Sequence, residues 1–314
     1  MNTSTKWMLA GATAAGSLAA VRLIRRSEPY SFRDKSVFIT GGARGLGFLM
    51  AEFLAEEGAR LTLISRDGNE LNQARHKLVR TGARVATSVC DVRDENQVKE
   101  AIDASVKLHG SIDLLINNAG IIQVGPFENI QIEDFQDAMA THAWGSLYAI
   151  LAALPHMTRQ GAGRIVNVSS IGGKIAVPHL MPYVMSKFAL AGLSDGMRVE
   201  LRKYGIILTS VYPGLMRTGS HVHAITKGDH EREFAWFSLL ATTPGLAINA
   251  RRAARKIIEA SRSGKRELII TPQAKLAVMM EGIAPSLVSI VSEVIDRWIL
   301  PEPVPGEAKK PSAA

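Results

Sequence analysis

The residues most able to do chemistry are a serine, a tyrosine and a lysine in the second half of the chain. Ser170 ends an apolar run, and Tyr183 and Lys187 follow it as part of Tyr-Val-Met-Ser-Lys. A tyrosine and a lysine four positions apart share one helix face, so the ammonium can lie beside the phenol. A free phenol has a pKa near ~10, and a neighbouring positive charge lowers it. The trio can therefore exchange a proton with an oxygen; the alternative is a surface Tyr-x-x-x-Lys that arose by chance.

These three residues need a partner group, and an upstream glycine-rich turn predicts one. The apolar strand 36–39 runs into the turn 40–47, and a helical pattern follows. Glycines let a pyrophosphate approach the backbone, and a helix N-terminus faces it. The spacing is G-x-x-x-G-x-G. The candidate dinucleotide contacts of this turn are Thr40, Gly41, Arg44, Gly45, Leu46 and Gly47.

Two more motifs complete a pattern. Asn117-Asn118-Ala119-Gly120 ends an apolar strand, and Pro213-Gly214 with Thr218 follows the strand 207–211. Taken in this order, the four motifs resemble the short-chain dehydrogenase/reductase family over roughly residues 32–271. The resemblance implies an α/β fold, namely a single doubly wound, Rossmann-like parallel sheet with a C-terminal helical lid and extension. It also implies that NAD(P)(H) binds at the carboxyl ends of the strands.

The resemblance assigns a role to each matching residue. It implies that Tyr183 is the acid/base, that Lys187 lowers its pKa and holds the nicotinamide ribose, and that Ser170 orients the substrate oxygen. Ser169 is expected to be structural. The remaining residues expected to contact the cofactor are Asp91 and Val92 on the adenine side, Asn118, Ala119 and Gly120, and Pro213, Gly214 and Thr218.

One position departs from the family pattern. The family usually carries an asparagine three residues before a glycine in the next long helix, where it helps to hold a proton-relay water. Here His142 stands three residues before Gly145. Either the backbone carbonyl serves the relay and the side chain matters little, or His142 joins the relay or touches substrate as a fourth catalytic residue.

Charge predicts which cofactor is used. The second strand ends in Ser65-Arg66-Asp67, and Arg44 lies in the glycine turn. Two guanidinium groups near the ribose 2′ position suit a phosphate, which favours NADP(H). In the alternative, Arg66 is solvated and Asp67 holds a 2′-hydroxyl of NAD(H).

Composition agrees with one α/β domain. The 314 residues are 46% hydrophobic, and apolar strands alternate with helical patterns, as in a parallel sheet. The only cysteine, Cys90, excludes an intrachain disulfide. His221 and His223 have no obvious acidic or thiolate partner, so no metal is expected. A basic balance of +8 without a recognition motif indicates lipid headgroups and the cofactor phosphate rather than nucleic acid.

Both ends of the chain lie outside the expected oxidoreductase domain, 32–272. Residues 1–31 contain the apolar segment 7–24, followed by arginines, which predicts a membrane anchor with the enzyme domain in the cytoplasm. The alternatives are a cleaved signal peptide, a transit peptide, and a loosely bound tail on a soluble cytoplasmic enzyme. Residues 273–301 are expected to form amphipathic helices, and 302–314 a disordered tail.

These observations predict an NADP(H)-dependent oxidoreductase that interconverts a carbonyl and an alcohol. Segment 219–245 is expected to be a lid whose aromatic and aliphatic residues suit a lipid-, steroid- or retinoid-like substrate, unless they only pack against the body or a partner subunit. The resemblance also implies a homo-oligomer. The alternative from another class is a catalytically idle NADPH-binding scaffold or sensor at a membrane.

Overall fold

Short apolar segments form the strands at the centre of this protein. The computed structural model describes residues 30–217, 219–243 and 247–304. All five residues of the first strand are buried, as expected for a strand that is covered by helices on both faces of a parallel sheet. The strands are β1 (Ser36–Thr40), β2 (Arg60–Ser65), β3 (Arg84–Val89), β4 (Leu114–Asn117), β5 (Gln123–Val124), β6 (Gly163–Val168), β7 (Ile206–Tyr212), β8 (Met216–Arg217), β9 (Ile225–Thr226), β10 (Ile248–Asn249) and β11 (Glu267–Ile269).

Helices alternate with these strands along most of the chain. Three of them begin at aspartates, Asp67, Asp94 and Asp229, whose carboxylates accept hydrogen bonds from N–H groups of the first turn. The helices are α1 (Gly45–Glu56), α2 (Gly68–Val79), α3 (Glu95–His109), α4 (Ile132–Met139), α5 (Gly145–Gln160), α6 (Met181–Leu201), α7 (His230–Thr242), α8 (Ala250–Arg262), α9 (Pro272–Ile283) and α10 (Pro285–Trp298).

Seven strands pair in parallel in the order β11-β7-β6-β4-β1-β2-β3. The chain builds outward from β1 in one direction as far as β3, and then returns to β4 and builds in the other direction. The order therefore reverses between β1 and β4, and the carboxyl ends of these strands form a crevice where open α/β sheets bind ligands. The predicted doubly wound, Rossmann-like sheet is confirmed.

The segment that follows β7 forms small elements above the main sheet. β5 pairs with β9, and β8 pairs with β10. Within the predicted lid 219–245, the structure describes a short 3-10 helix at Ser220–His223, then β9 and α7. Residues 244–246 and Thr218 lie outside the described residues.

The two last helices, α9 and α10, expose much of their apolar surface. The stripe predicted on the last helix leaves Leu287, Val291, Val294 and Trp298 at least half exposed, so it does not pack on the core. Beyond α10, the side-chain amide of Asn129 exchanges two hydrogen bonds of 3.1 Å with the backbone of Val304. That contact holds the last described residue of the predicted tail against the body.

The predicted membrane anchor, 7–24, and most of the predicted tail, 305–314, lie outside the described residues. Within residues 30–217, 219–243 and 247–304, none of the helices combines the length and the apolar character needed to cross a bilayer.

Candidate active site

The glycine turn and the end of β4 are joined by hydrogen bonds at the crevice. The Thr40 hydroxyl accepts from the backbone N–H groups of Asn118 and Ala119, at 2.9 and 3.0 Å. The Asn118 side chain donates back to the carbonyls of Thr40 and Gly41, at 3.2 and 3.1 Å. These contacts explain why Asn-Asn-Ala-Gly follows one strand and Thr-Gly-Gly the other: each motif fixes the backbone of its neighbour.

Close approach explains the glycines of this turn. Gly41 has a φ of +62°, and a Cβ atom on Gly47 would lie 2.2 Å from the Gly41 carbonyl oxygen. Helix α1 begins at Gly45 without a side-chain cap and without an acidic residue in its first turn. Backbone N–H groups that no side chain satisfies suit an anion, so the turn fits a pyrophosphate group.

A cavity of about 580 Å³ extends from this turn across the crevice. The residues that sequence analysis singled out and that line the cavity are Gly41, Arg44, Gly45, Leu46, Ser65, Arg66, Asp91, Val92, Asn118, Ala119, Gly120, His142, Ser170, Tyr183, Lys187, Pro213 and Gly214. Thr40 and Gly47 lie behind the wall and support it, and Thr218 is outside the described residues. The predicted set is thus brought together around one space.

Ser170, Tyr183 and Lys187 meet at one side of the cavity because β6 ends at Val168 and α6 begins at Met181. All three side chains are buried or nearly so. The Lys187 ammonium donates to the Val168 carbonyl at 3.0 Å and lies 5.5 Å from the Tyr183 ring centroid. Ser170 accepts a hydrogen bond from the Gly172 N–H at 3.1 Å, whereas Ser169 donates to the Lys187 carbonyl at 3.0 Å. Ser169 therefore supports the helix and Ser170 faces the tyrosine.

The electrostatics of this trio differ from the expectation drawn from the sequence. Burial raises the pKa of Tyr183, and a hydrogen bond with Ser170 offsets this only in part. Burial lowers the pKa of Lys187 to about 7. The predicted lowering of the Tyr183 pKa by Lys187 is therefore not seen, because taking both groups out of water disfavours the charged form of each.

His142 lies in a five-residue π-helical turn, Ala140–Trp144, between α4 and α5. Its ring is buried and stands edge-on to the Tyr183 ring, with centroids 5.5 Å apart. Nε2 accepts from the Ile121 N–H at 3.1 Å, and Nδ1 lies 2.7 Å from the Ser186 hydroxyl oxygen. Ser186 was not among the predicted site residues, although its place inside the Tyr-x-x-x-Lys motif was a usable signal.

The opposite end of the cavity carries the two predicted arginines. Arg44 and Arg66 both line it, and Arg44 also pairs with Glu70 at 3.3 Å in an exposed contact. Asp67 accepts hydrogen bonds from the N–H groups of Asn69 and Glu70, at 2.8 and 3.0 Å. Its carboxylate thus caps α2. Asp91 is paired with Arg93, whose hydrogen bonds hold the pKa of Asp91 below its usual range despite partial burial.

The described part of the predicted lid reaches the cavity through Gly219, His223 and Ile225. The aromatic residue Trp236 of α7 makes a contact within its own helix: its ring N–H donates to the carboxylate of Glu233 at 2.6 Å. Glu233 is fully buried and pairs at 2.8 Å with His179, which lies four residues before Tyr183. This pair was not predicted, since no local sequence pattern connects residues that are 54 positions apart.

Comparisons with known proteins agree with this geometry. A model of the short chain dehydrogenase family matches residues 35–227, more than half of the chain. The chain is 32% identical over 189 residues to gluconate 5-dehydrogenase from Gluconobacter oxydans, spanning 60% of this chain and 74% of that protein. It is 30% identical over 287 residues to dehydrogenase/reductase SDR family member 7B from Danio rerio, spanning 88% of each chain.

A solved structure shares the fold. A short chain dehydrogenase/reductase from Burkholderia phymatum in complex with NAD superposes with a TM-score of 0.77 over 82% of this chain and 96% of that chain, at 23% identity. The family match, the reversal of strand order at a glycine turn and the grouping of Ser170, Tyr183 and Lys187 lead to one conclusion. The chain belongs to the short-chain dehydrogenase/reductase family of oxidoreductases.

Proposed function

We propose that this protein is an NADP(H)-dependent oxidoreductase that interconverts a carbonyl and an alcohol on a hydrophobic substrate, with Tyr183 as the acid/base. The observation that carries the proposal is the set of residues that line one cavity. Ser170, Tyr183 and Lys187 line it together with the glycine turn and two arginines.

The cofactor, when bound, supplies the hydride that reduces a carbonyl carbon. Proton transfer then falls to the chain. In the reductive direction, Tyr183 donates its phenolic proton to the substrate oxygen, and the Ser170 hydroxyl donates a hydrogen bond to the same oxygen. The raised pKa of Tyr183 keeps the phenol protonated at neutral pH, which suits a proton donor. Oxidation of the alcohol needs the deprotonated form, so we expect it to be favoured at higher pH.

Separate groups of residues would hold the parts of the cofactor. The glycine turn and the start of α1 suit the pyrophosphate, and Asp91 with Val92 suits the adenine side. Asn118 to Gly120 and Pro213-Gly214 would support the remaining cofactor, and Lys187 the nicotinamide ribose. Thr218 is proposed from the sequence alone.

Two observations support a 2′-phosphate rather than a 2′-hydroxyl. Arg44 and Arg66 both reach the cavity, and guanidinium groups bind phosphate oxygens in pairs. The acid that would have to hold a hydroxyl, Asp67, is used as the cap of α2. The contact of Arg44 with Glu70 is exposed and therefore weak, so a phosphate can compete for Arg44.

Apolar residues in the cavity lining support a hydrophobic substrate class. These residues are Ile121, Ile122, Met216 and Ile225. Such a lining favours a neutral, hydrophobic ketone, aldehyde or alcohol. The relative named for gluconate suggests the opposite class, a polar hydroxy acid, so a substrate panel has to contain both.

The test is oxidation of NADPH by the purified full chain with ketones and aldehydes graded by hydrophobicity, and reduction of NADP with matching alcohols and gluconate. We expect turnover to rise with hydrophobicity. Tyr183→Phe is expected to lose at least about 100-fold in kcat, the scale of general acid–base catalysis. Its NADPH affinity, measured by fluorescence titration, should stay close to that of the unaltered protein.

Tyr204→Phe is the matched control, because it removes the same hydroxyl from an exposed position at the end of α6. NADPH binding without turnover on any compound would contradict the oxidoreductase proposal and favour the idle scaffold. Tyr183→Phe activity equal to that of Tyr204→Phe would contradict the acid/base role.

A further inference from the structure

We propose that His142 is a positioning residue that holds Tyr183 in place through Ser186, and that its ring is kept in a single neutral tautomer. The inference deepens the proposed function and rests on it, because it assigns the His142 side chain a role in positioning Tyr183, the proposed acid/base. It also separates this chain from the alternative in which His142 passes protons itself.

A chain of three hydrogen bonds carries the inference. The Ile121 N–H donates to His142 Nε2 at 3.1 Å, Nδ1 lies 2.7 Å from the Ser186 oxygen, and the Ser186 hydroxyl donates to the Tyr183 carbonyl at 2.8 Å. His142 and Ser186 are both almost completely buried. Polar atoms this deep in the protein depend on these bonds, because water cannot replace a lost partner.

The neighbours decide which nitrogen carries the proton. A backbone N–H can only donate, so Nε2 must accept and carries no hydrogen. The Ser186 hydroxyl donates its only hydrogen to the Tyr183 carbonyl, so the Ser186 oxygen must accept from Nδ1–H of His142. The only consistent state is the neutral Nδ1–H tautomer. Burial, and then the charge of Lys187, lower the pKa of His142 well below its usual value, which agrees with a neutral ring.

This arrangement leaves neither ring nitrogen available for a proton relay. Instead, the ring links two walls of the cavity. One is the segment after β4, which lines the cavity through Gly120 and Ile121, and the other is the N-terminal part of α6, which carries Tyr183 and Ser186. The ring packs closely against the first wall, since a Cβ on Gly120 would lie 3.0 Å from Nε2. On the second wall, its bond to Ser186 restrains the backbone carbonyl of Tyr183 itself.

Loss of the link should lower the rate rather than the binding of ligands. A misplacement of about 1 Å in a catalytic group can cost up to about 100-fold in rate. His142→Phe keeps an edge-on ring and removes both bonds. His142→Asn places an amide near the position of Nδ1 and can still donate to Ser186. His142→Gln reaches the position of Nε2 and can accept only from Ile121.

The kinetic arm compares these variants with Ser186→Ala, which removes both hydrogen bonds of Ser186 and keeps the bond from Ile121 to His142. We expect kcat to fall about 10- to 100-fold in His142→Phe, His142→Gln and Ser186→Ala, with His142→Asn recovering most of the loss. The double variant His142→Phe/Ser186→Ala should lose no more than either single variant. KM and NADPH affinity should change less than threefold. A higher kcat in His142→Gln than in His142→Asn, or losses that multiply in the double variant, would overturn the proposal.

A second arm needs no turnover and therefore separates this inference from the proposed function. In protein labelled at histidine and tyrosine, the ring signals that vanish in His142→Asn and in Tyr183→Phe are assigned by NMR. The His142 signal should report Nδ1–H and stay unchanged from pH 5.5 to 8. The Tyr183 signal should move in Ser186→Ala and His142→Gln, and much less in His142→Asn. A titrating His142, an Nε2–H tautomer or an unmoved Tyr183 signal would refute the positioning role, whereas failure to find a substrate would bear only on the proposed function.

Discussion

At the scale of one residue, the burial of Lys187 lowers the stability of the fold at the site where chemistry is proposed. The residue is 4% exposed, and its ammonium donates to the backbone carbonyl of Val168. Burial of a charge is unfavourable unless enough partners replace water, and here the pKa falls to about 7. Tyr183, next to it, is partly buried, and its phenol is protonated in both the folded and the unfolded state at neutral pH. The folded protein thus holds one group, the lysine, in a less favourable state than the unfolded chain does, as is common at functional sites.

Removal of the Lys187 charge should therefore stabilise the fold while it abolishes activity. Lys187→Met keeps the shape of the side chain, and such replacements of buried charges raise the unfolding free energy by about 1–4 kcal/mol in favourable cases. We expect about 1–3 kcal/mol at pH 6, since the Val168 carbonyl loses its partner. The control is Lys203→Met, whose side chain is on the surface.

The stabilising effect of Lys187→Met should depend on pH, and the pKa of Lys187 determines the direction of the change. Below pH 7 the lysine is charged in both the folded and the unfolded state, so the full penalty of burial applies. Between about pH 7 and 10 the unfolded chain binds more protons than the folded one, so the unaltered protein gains stability as pH rises. The advantage of Lys187→Met should shrink from pH 6 to pH 9.5 in chemical denaturation. An advantage that is the same at both pH values would contradict a buried, charged lysine.

The two arginines proposed to bind the cofactor phosphate, Arg44 and Arg66, lead to another prediction at the residue scale. Arg44→Ala with Arg66→Ala should weaken NADPH binding at least about 100-fold, because two charge-assisted contacts of about 1.5–3 kcal/mol each are lost. NADH binding should change less than threefold. Arg75→Ala, on the exposed face of α2, is the control for overall charge. Equal losses for NADPH and NADH in fluorescence titrations would rule out the phosphate assignment.

At the scale of elements, a buried pair of side chains connects α7 to the loop that leads into α6. His179 on that loop has a left-handed backbone, with φ +60°, which is unfavourable for a residue other than glycine. Its Nδ1 pairs with the buried Glu233 of α7 at 2.8 Å, and its Nε2 lies 3.6 Å from Asp296 of α10. Three elements that are distant in the sequence therefore meet at one imidazole. The arrangement fixes α7 and α10 relative to the start of α6.

Glu233→Gln should loosen α7, which belongs to the predicted lid, without affecting cofactor binding. The change removes a charged hydrogen-bond partner inside the protein, which costs about 1.5–3 kcal/mol. We expect faster hydrogen exchange in residues 230–242, a higher KM for substrate and an unchanged NADPH affinity. Glu231→Gln, on the exposed side of the same helix, is the matched control. If both variants exchange at the same rate, the buried pair does not hold the lid.

At the scale of the whole molecule, two surfaces expose apolar side chains. One comprises Met185, Phe188 and Val199 on α6, with Leu151 exposed on α5, and the other comprises the stripe on α10. Exposed apolar patches on this scale often mark contacts between subunits or with membranes. The expected homo-oligomer would use the first surface, since α5 and α6 are its two longest described helices.

Leu151→Glu with Val199→Glu should convert a dimer or tetramer to smaller species, because each buried charge opposes the contact by several kcal/mol. Size-exclusion chromatography with light scattering gives the mass directly. Leu287→Glu with Val294→Glu, on α10, is the comparison pair. Dissociation by the α10 pair alone would move the interface to that helix, and an unaltered protein that is monomeric would refute the oligomer.

The fold and the composition of the site were accessible from the sequence. Strand, turn and helix signals lie within a few residues of one another, so β1, the glycine turn and α1 can be recognised without any long-range contact. The same holds for Ser170, Tyr183 and Lys187, whose spacing places them at the end of β6 and on one face of α6. All the predicted cofactor residues that the structure describes, which leaves out only Thr218, either line the cavity or support its wall.

What the sequence did not determine depends on neighbours that are far away along the chain. The pKa values of Tyr183 and Lys187 follow from burial, which only the packed structure sets. The tautomer of His142 depends on Ile121 and Ser186, and the partner of Glu233 lies 54 positions away. Local spacing can thus place reactive groups on an element. Only the tertiary structure decides what each group touches and therefore in which charge state it is held.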